Sequence, residues 1–211
     1  MEIVIATRNR AKFAEIAEIL RGVNAHLLSL EETEFQSVVE ETGESYRENA
    51  ALKALTVAAA TGRMTLAEDS GLEVDALGGE PGVRSARFGG PGLDDEGRVA
   101  LLLKQLEGVP EENRRARFVC VVALASPSGE VQFCKGVCEG VIAREPRGSC
   151  GFGYDPVFFV AALGKTFAEL PGTVKNTLSH RGRALQKARA ILERVCREGG
   201  FPQTLEGQES S

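Results

Sequence analysis

The sequence predicts an α/β or α+β domain built round a mixed β-sheet, and two observations carry that reading. Near the start, a short apolar strand runs directly into an amphipathic helix, the arrangement that feeds a parallel strand connection. Near the middle, two long β-rich runs are joined by Pro127-Ser128-Gly129, the arrangement of an antiparallel hairpin. A sheet holding both kinds of neighbour is mixed. The 211 residues suffice for one domain of two lobes, assigned to 1–198, with a polar, disordered tail expected from Gly199 onward.

Taken in order, Ile3 to Ala6 reads as a buried strand. Phe13, Ile16, Ala17 and Leu20 fall on one face of a helix that Gly22 closes. His26 to Leu30 is a further strand. Ser45 and Glu48 have the capping-box spacing and open an Ala-rich helix, Tyr46 to Thr61, ended by Gly62. Met64 to Ala67 reads as a strand leading into Glu68-Asp69, and the alternation of Leu72, Val74 and Ala76 as a second short one. Residues 78–92, rich in Gly and Pro, read as loop. Val99, Leu102, Leu103 and Leu106 mark a helix that begins near Asp94 or Asp95 and stops at Gly108. Phe118 to Ala125 and Val131 to Ile142 form the hairpin. Arg144 to Asp155 reads as loop, Val157 to Val160 as a brief strand. The last helix starts near Ser179, with Ala184, Ala188, Ile191 and Val195 on one face.

Composition removes several function classes. A net charge of −5 without a long basic run argues against binding nucleic acid, and Arg114, Arg115 and Arg117 read as a solvated strand edge. No stretch of about 20 apolar residues is present, so no membrane span is expected. No signal-peptide pattern precedes the first strand. Five cysteines without a CxxC, beside only two histidines, offer no zinc set and suit reduced thiols in the cytoplasm.

Five short polar motifs remain, each at the edge of an apolar segment. Thr7-Arg8-Asn9-Arg10-Ala11-Lys12 lies where a strand turns into a helix, whose first N–H groups attract anions. Thr7 and Asn9 suit either phosphate contacts or helix capping, and Lys12 lies one turn inside the helix. The glycines of a P-loop are missing. Glu68 and Asp69 are adjacent on a strand, so their side chains point to opposite faces. One faces the site and can hold Mg²⁺ or take a proton from water; an acidic turn is the plainer alternative. Glu40 and Glu41 form either a solvated loop or a second metal ligand. Lys53, one turn along the Ala-rich helix, could reach a phosphate, with exposure on the surface the plainer alternative. In Gly151-Phe152-Gly153-Tyr154-Asp155-Pro156, glycines flank two aromatics, a turn that either stacks on a base or packs on the core. Asp155 suits the N–H edge of a purine. Lys175, Ser179, His180 and Arg181 add donors near the start of the last helix.

These motifs together resemble the Ham1-type family of inosine/xanthosine triphosphate pyrophosphatases. The resemblance runs from about Ile3 to Val195 through TRNRAK (7–12), EETGESYRENAALKA (40–54), AEDSGLEVDALGGEPGVRSARF (67–88), GSCGFGYDPVF (148–158) and KNTLSHRGRAL (175–185). It implies a two-lobed α/β fold with a long central mixed sheet flanked by helices and a nucleotide cleft between the lobes. It implies hydrolysis of ITP, dITP or XTP to the monophosphate and pyrophosphate, with Mg²⁺, by a homodimer. The residues it implies are Asp69 as general base and metal ligand and Glu40 as a second metal ligand. Thr7, Asn9 and Lys12 are implied at phosphate-binding positions, with Arg8, Arg10, Ala11 and Ser70 as further substrate contacts. Phe152, Gly153, Tyr154, Asp155, Lys175, His180 and Arg181 are implied on the base side. Two other readings compete: a pyrophosphatase for modified pyrimidine nucleotides, and a nucleotide-binding regulator without turnover.

Overall fold

The computed structural model describes residues 1–199 and 201. Apart from Gly199 and Phe201, the expected disordered tail lies outside the described residues. The elements are β1 (Glu2–Ile5), α1 (Arg10–Ile19), β2 (His26–Ser29), α2 (Tyr46–Thr61), β3 (Met64–Val74), α3 (Asp95–Gln105), β4 (Arg115–Ala125), β5 (Val131–Ile142), β6 (Phe158–Val160), β7 (Lys165–Thr166), α4 (Gly172–Leu178) and α5 (His180–Glu198).

The seven strands form one open sheet in the order β2-β1-β3-β4-β5-β6-β7. β1 lies parallel to β2 and β3, and every other pairing is antiparallel. The expected mixed sheet is therefore the observed one. Among the described residues, no helix is long and apolar enough to cross a membrane.

Side-chain alternation along the strands sorts the core into layers. α1 and α5 cover one face, packing Ile16, Leu20, Ala184, Ala188 and Leu192 onto Ile3, Ile5, Leu66 and Val122. α2 covers the other, where its small residues Ala50, Ala54 and Ala58 let the helix approach Val4, Ala67 and Val121 closely. A second lobe is built at the far ends of β3 to β5, where α3 and β6 surround Leu72, Phe118, Phe158 and Phe167. The long hairpin strands run through both lobes, and the cleft lies where the layers meet.

The structure corrects several local expectations. β3 is one continuous strand through Glu68 to Gly71, not two short strands with a turn between them. β4 pairs with it from Thr65 opposite Ala125 to Val74 opposite Ala116, so ladder hydrogen bonds outweigh the turn-forming composition of Asp-Ser-Gly. Gly71 fits there because a Cβ would lie 2.2 Å from the Gly82 carbonyl oxygen. Arg114 is no solvated edge residue: it is buried and donates to the carbonyls of Leu106, Ile142 and Ala143. At the start of α2, Ser45 Oγ accepts the Glu48 N–H, but the Glu48 carboxylate accepts from Glu44 N, one residue short of a full capping box. β7 and α4 were not expected, being too short to show a periodic pattern.

Candidate functional site

β3 positions the centre of the site through its period of two. Glu68 and Ser70 face the α1/α5 side, and Asp69 faces α2. On the first side, Lys12 Nζ lies 2.7 Å from the Glu68 carboxylate and 3.4 Å from Ser70 Oγ. Arg181, the second residue of α5, places Nη2 3.4 Å from Glu68 and 3.3 Å from Ser70 Oγ. The buried Cys120 thiol donates to the other Glu68 oxygen at 3.3 Å. Burial by itself would push the Glu68 carboxyl up, but Arg181 and Lys12 outweigh it and hold the group well below the usual carboxylate range.

On the second side, Asn49 Nδ2 donates to Asp69 at 3.1 Å. Lys53 places its ammonium 3.9 Å from Asp69 and 2.5 Å from Glu41. Lys53 is thus no surface residue; it stands between two carboxylates. Burial pushes the Asp69 carboxyl above its ordinary value, with Glu41 adding to the rise against Lys53 and Asn49.

Two neighbouring cavities meet at Asn9, Lys12 and Ala86. The smaller, about 280 Å³, is lined by Thr7, Arg8, Asn9, Lys12, Glu41, Lys53 and Glu68. Asn9 caps α1, its Oδ1 accepting the Lys12 N–H at 3.0 Å. Thr7 Oγ1 accepts the Asn9 N–H. Arg8 turns its guanidinium to the Gln36 and Ser37 carbonyls. Arg10 points away to an exposed pairing with Glu31 and lines neither cavity. Glu40 is exposed and lines neither cavity, whereas its neighbour Glu41 does line the smaller one.

The larger cavity, about 350 Å³, takes in Ala11, Lys12, Ser70, Phe118, Phe152, Gly153, Tyr154, Asp155, Lys175, His180 and Arg181. The half-buried Phe152 ring lies 5.0 Å from Lys175 Nζ and 5.4 Å from Arg181 Cζ, within cation–π range of both. His180 stacks on Phe118 with centroids 4.5 Å apart and planes 10° from parallel. Burial, and then the Arg181 charge, hold the imidazole neutral by pushing its pKa well down. His180 Nδ1 and Arg181 Nε are buried without a hydrogen-bond partner.

Asp155 is committed to the protein's own groups. Its Oδ2 pairs with Lys175 at 2.6 Å and accepts the Phe152 N–H at 3.0 Å, so that oxygen shapes the turn. Gly151, with φ +80°, allows this: a Cβ there would lie 2.0 Å from that same oxygen. Tyr154 is buried, its hydroxyl donating to the Ser85 carbonyl at 2.9 Å.

Sequence reasoning missed the residue that ties the base end together. Glu15, on α1, accepts Lys175 at 2.8 Å and Arg181 at 2.6 Å, across 160 and 166 residues. Nothing local distinguishes it from a solvated helix residue. Asn49 and Cys120 are likewise placed by the fold alone, whereas the sequence itself offers Lys53 and Glu41 as candidate phosphate and metal contacts.

An open mixed sheet with a cleft charged at one end and aromatic at the other defines an α/β protein whose site is shaped for a nucleotide. The chain belongs to the Ham1 family, whose sequence pattern matches residues 3–191. It is 51% identical over 195 residues to a dITP/XTP pyrophosphatase of Desulforamulus reducens, covering 92% of this chain and 97% of that protein. It is 46% identical over 192 residues to a dITP/XTP pyrophosphatase of Bacillus subtilis, covering 91% and 97%. The structure of a HAM1 protein from Coxiella burnetii superposes with a TM-score of 0.84 at 42% identity, over 92% of this chain and 99% of that one. The Staphylococcus aureus Ham1 protein gives 0.83 at 41%, with the same coverage.

Proposed function

We propose that this protein hydrolyses non-canonical purine nucleoside triphosphates, dITP, ITP and XTP, to the monophosphate and pyrophosphate, cleansing the nucleotide pool. The observation that carries the reading is the position of Lys12. It stands where a strand-to-helix turn rich in donors meets an aromatic, cationic pocket. A nucleoside triphosphate has that same division into a polyanion and a flat base. The names of the relatives support the activity.

Attack by water on the α-phosphorus requires the charge of three phosphates to be offset. Lys12, Lys53 and the first N–H groups of α1 supply cations and donors for that. Asp69, raised by burial, suits a general base: its affinity for a proton exceeds that of an ordinary carboxylate, yet it keeps hydrogen bonds that fix its direction.

Mg²⁺ belongs to this reading as a proposal. Asp69 and Glu41 already share one cation, the Lys53 ammonium, and their hard oxygens suit Mg²⁺. We assign Glu41 as the second ligand, because it lines the cavity and Glu40 does not. The ion would supply charge neutralisation on the phosphates.

Base selection follows from the donors at the aromatic end. Arg181 and Lys175 carry only donors, and an unpaired Arg181 Nε–H suits a 6-oxo group. An adenine amino group would leave such a donor facing another donor, at a cost in binding.

Assembly as a homodimer is supported by the α2 side of β5, where Val131, Phe133 and Val137 stay half-buried at the margin of the layer that α2 packs on, with Arg47 of α2 laid over the Phe133 ring. Five free thiols suit a reducing cytoplasm. The reading is tested by incubating the purified protein with dITP and with ATP and identifying the products. Pyrophosphate from dITP, with far less from ATP, is expected; orthophosphate as the primary product would refute it.

A further inference from the structure

The turn that carries Phe152 is fastened by α3, a helix distant in sequence that shares the core of the second lobe with Tyr154 and Val157. Residues 143–157 contain no helix or strand, so their shape depends on what holds them. Two successive N–H groups of the turn are received by two different carboxylates. Phe152 N donates to Asp155, and Gly153 N donates to Asp95 Oδ2 at 2.8 Å. Asp95 is the first residue of α3, 58 residues distant. Its other oxygen takes Arg98 Nη2 at 2.8 Å, and Arg98 Nη1 reaches the Leu93 carbonyl at 2.5 Å. α3 is itself anchored through Val99 and Leu102 in the core of the second lobe. The chain of support therefore runs from a packed core, through one carboxylate, to the backbone beside the Phe152 ring. Asp95, Arg98, Phe152 and Gly153 all line the larger cavity.

We propose that Asp95 is a positioning residue for base recognition. It fixes the Gly153 amide, and through it the height and tilt of the Phe152 ring over the Lys175 and Arg181 cations. Burial would raise its carboxyl, but Arg98 and the Gly153 N–H outweigh that and keep it anionic, so the contact is charge-assisted and stiff. The proposal rests on the purine triphosphate reading above.

The test compares Asp95→Ala and Asp95→Asn with the wild type. ITP binding is measured by calorimetry, kcat and KM by pyrophosphate release, and inhibition by inorganic tripolyphosphate probes the phosphate end alone. Asp95→Ala is expected to weaken ITP binding and raise its KM about tenfold, as for one lost charge-assisted hydrogen bond, and to leave tripolyphosphate inhibition within about twofold. Asp95→Asn keeps an acceptor for Gly153 N–H and is expected to recover most of the loss. Unchanged ITP binding in Asp95→Ala, a parallel loss of tripolyphosphate inhibition, or no recovery in Asp95→Asn would overturn the proposal. A wild-type protein that binds ITP without releasing pyrophosphate would defeat the parent reading and leave the Asp95 role to be decided by calorimetry. A wild-type protein that binds no ITP defeats both.

Discussion

His180→Phe isolates the acid sensitivity that the site builds into the fold. The imidazole is buried beside Phe118 and Phe167, stacked on the first and 6.4 Å from the second. The groups facing it are Arg181, Glu68, Lys175 and Lys12, of which only Glu68 favours a proton on the ring. Its folded pKa is therefore well below 6.5, whereas the unfolded chain regains the ordinary value. Below about pH 6.5 the unfolded state binds a proton that the folded state refuses, so stability falls as the pH is lowered. The slope approaches 1.4 kcal/mol per pH unit for one proton, or about 2 kcal/mol between pH 6.5 and 5. Asp69 and Asp155, raised by burial, act in the opposite direction nearer the carboxylate range. The difference between variant and wild type removes most of their contribution. Phenylalanine preserves the stack and has no proton to bind. Urea unfolding at fixed protein concentration from pH 7.5 to 5 should show a wild-type loss that His180→Phe largely lacks. Equal pH slopes in the two proteins would refute the claim that this histidine is held neutral.

Three further outcomes are expected. Asp69→Asn should lower kcat by about 10²-fold or more in steady-state assays while substrate still binds; a near-normal kcat would transfer the base role elsewhere. Phe152→Ala should raise KM for ITP by about 5- to 150-fold, the equivalent of 1–3 kcal/mol of stacking, with little change in melting temperature because the ring is half-buried at a cavity wall; a large fall in melting temperature at unchanged KM would make it a core residue. EDTA should abolish activity and Mg²⁺ restore it, with Glu41→Gln raising the Mg²⁺ concentration for half-maximal rate about tenfold and Glu40→Gln leaving it within about twofold; the reverse ranking would return the ligand to Glu40.

Much of the architecture was legible because it is written in local periodicity. The strand-helix start, the Ala-rich α2 between its Ser45 cap and Gly62, and the Pro127-Ser128-Gly129 hairpin all announce themselves within contiguous stretches of chain. So does the divergence of Glu68 and Asp69, which follows from strand geometry alone. The continuity of β3 was not legible, because whether Asp-Ser-Gly turns or runs straight depends on its partners Val121, Cys120 and Val119, 48 to 52 residues later. Glu15, Cys120 and the Glu41 partner of Lys53 were hidden for a related reason. Each looks like an ordinary residue of its segment, and its role exists only through a contact across at least 12 residues of chain. Which of Glu40 and Glu41 lines the cavity was not legible either, because two identical neighbours differ only in the direction they face. Asp155 was legible as a site residue, but the ion pair that holds it was not: Lys175 reaches it from 20 residues along the chain.

The central claim is that water attacks the α-phosphorus of a purine triphosphate laid from the Phe152 pocket to the Lys12 turn. Hydrolysis of dITP in ¹⁸O-labelled water, followed by mass spectrometry of both products, tests it directly. The label is expected in the nucleoside monophosphate, with none in pyrophosphate. Label in pyrophosphate, or in released orthophosphate, would place the attack on another phosphorus and contradict the account.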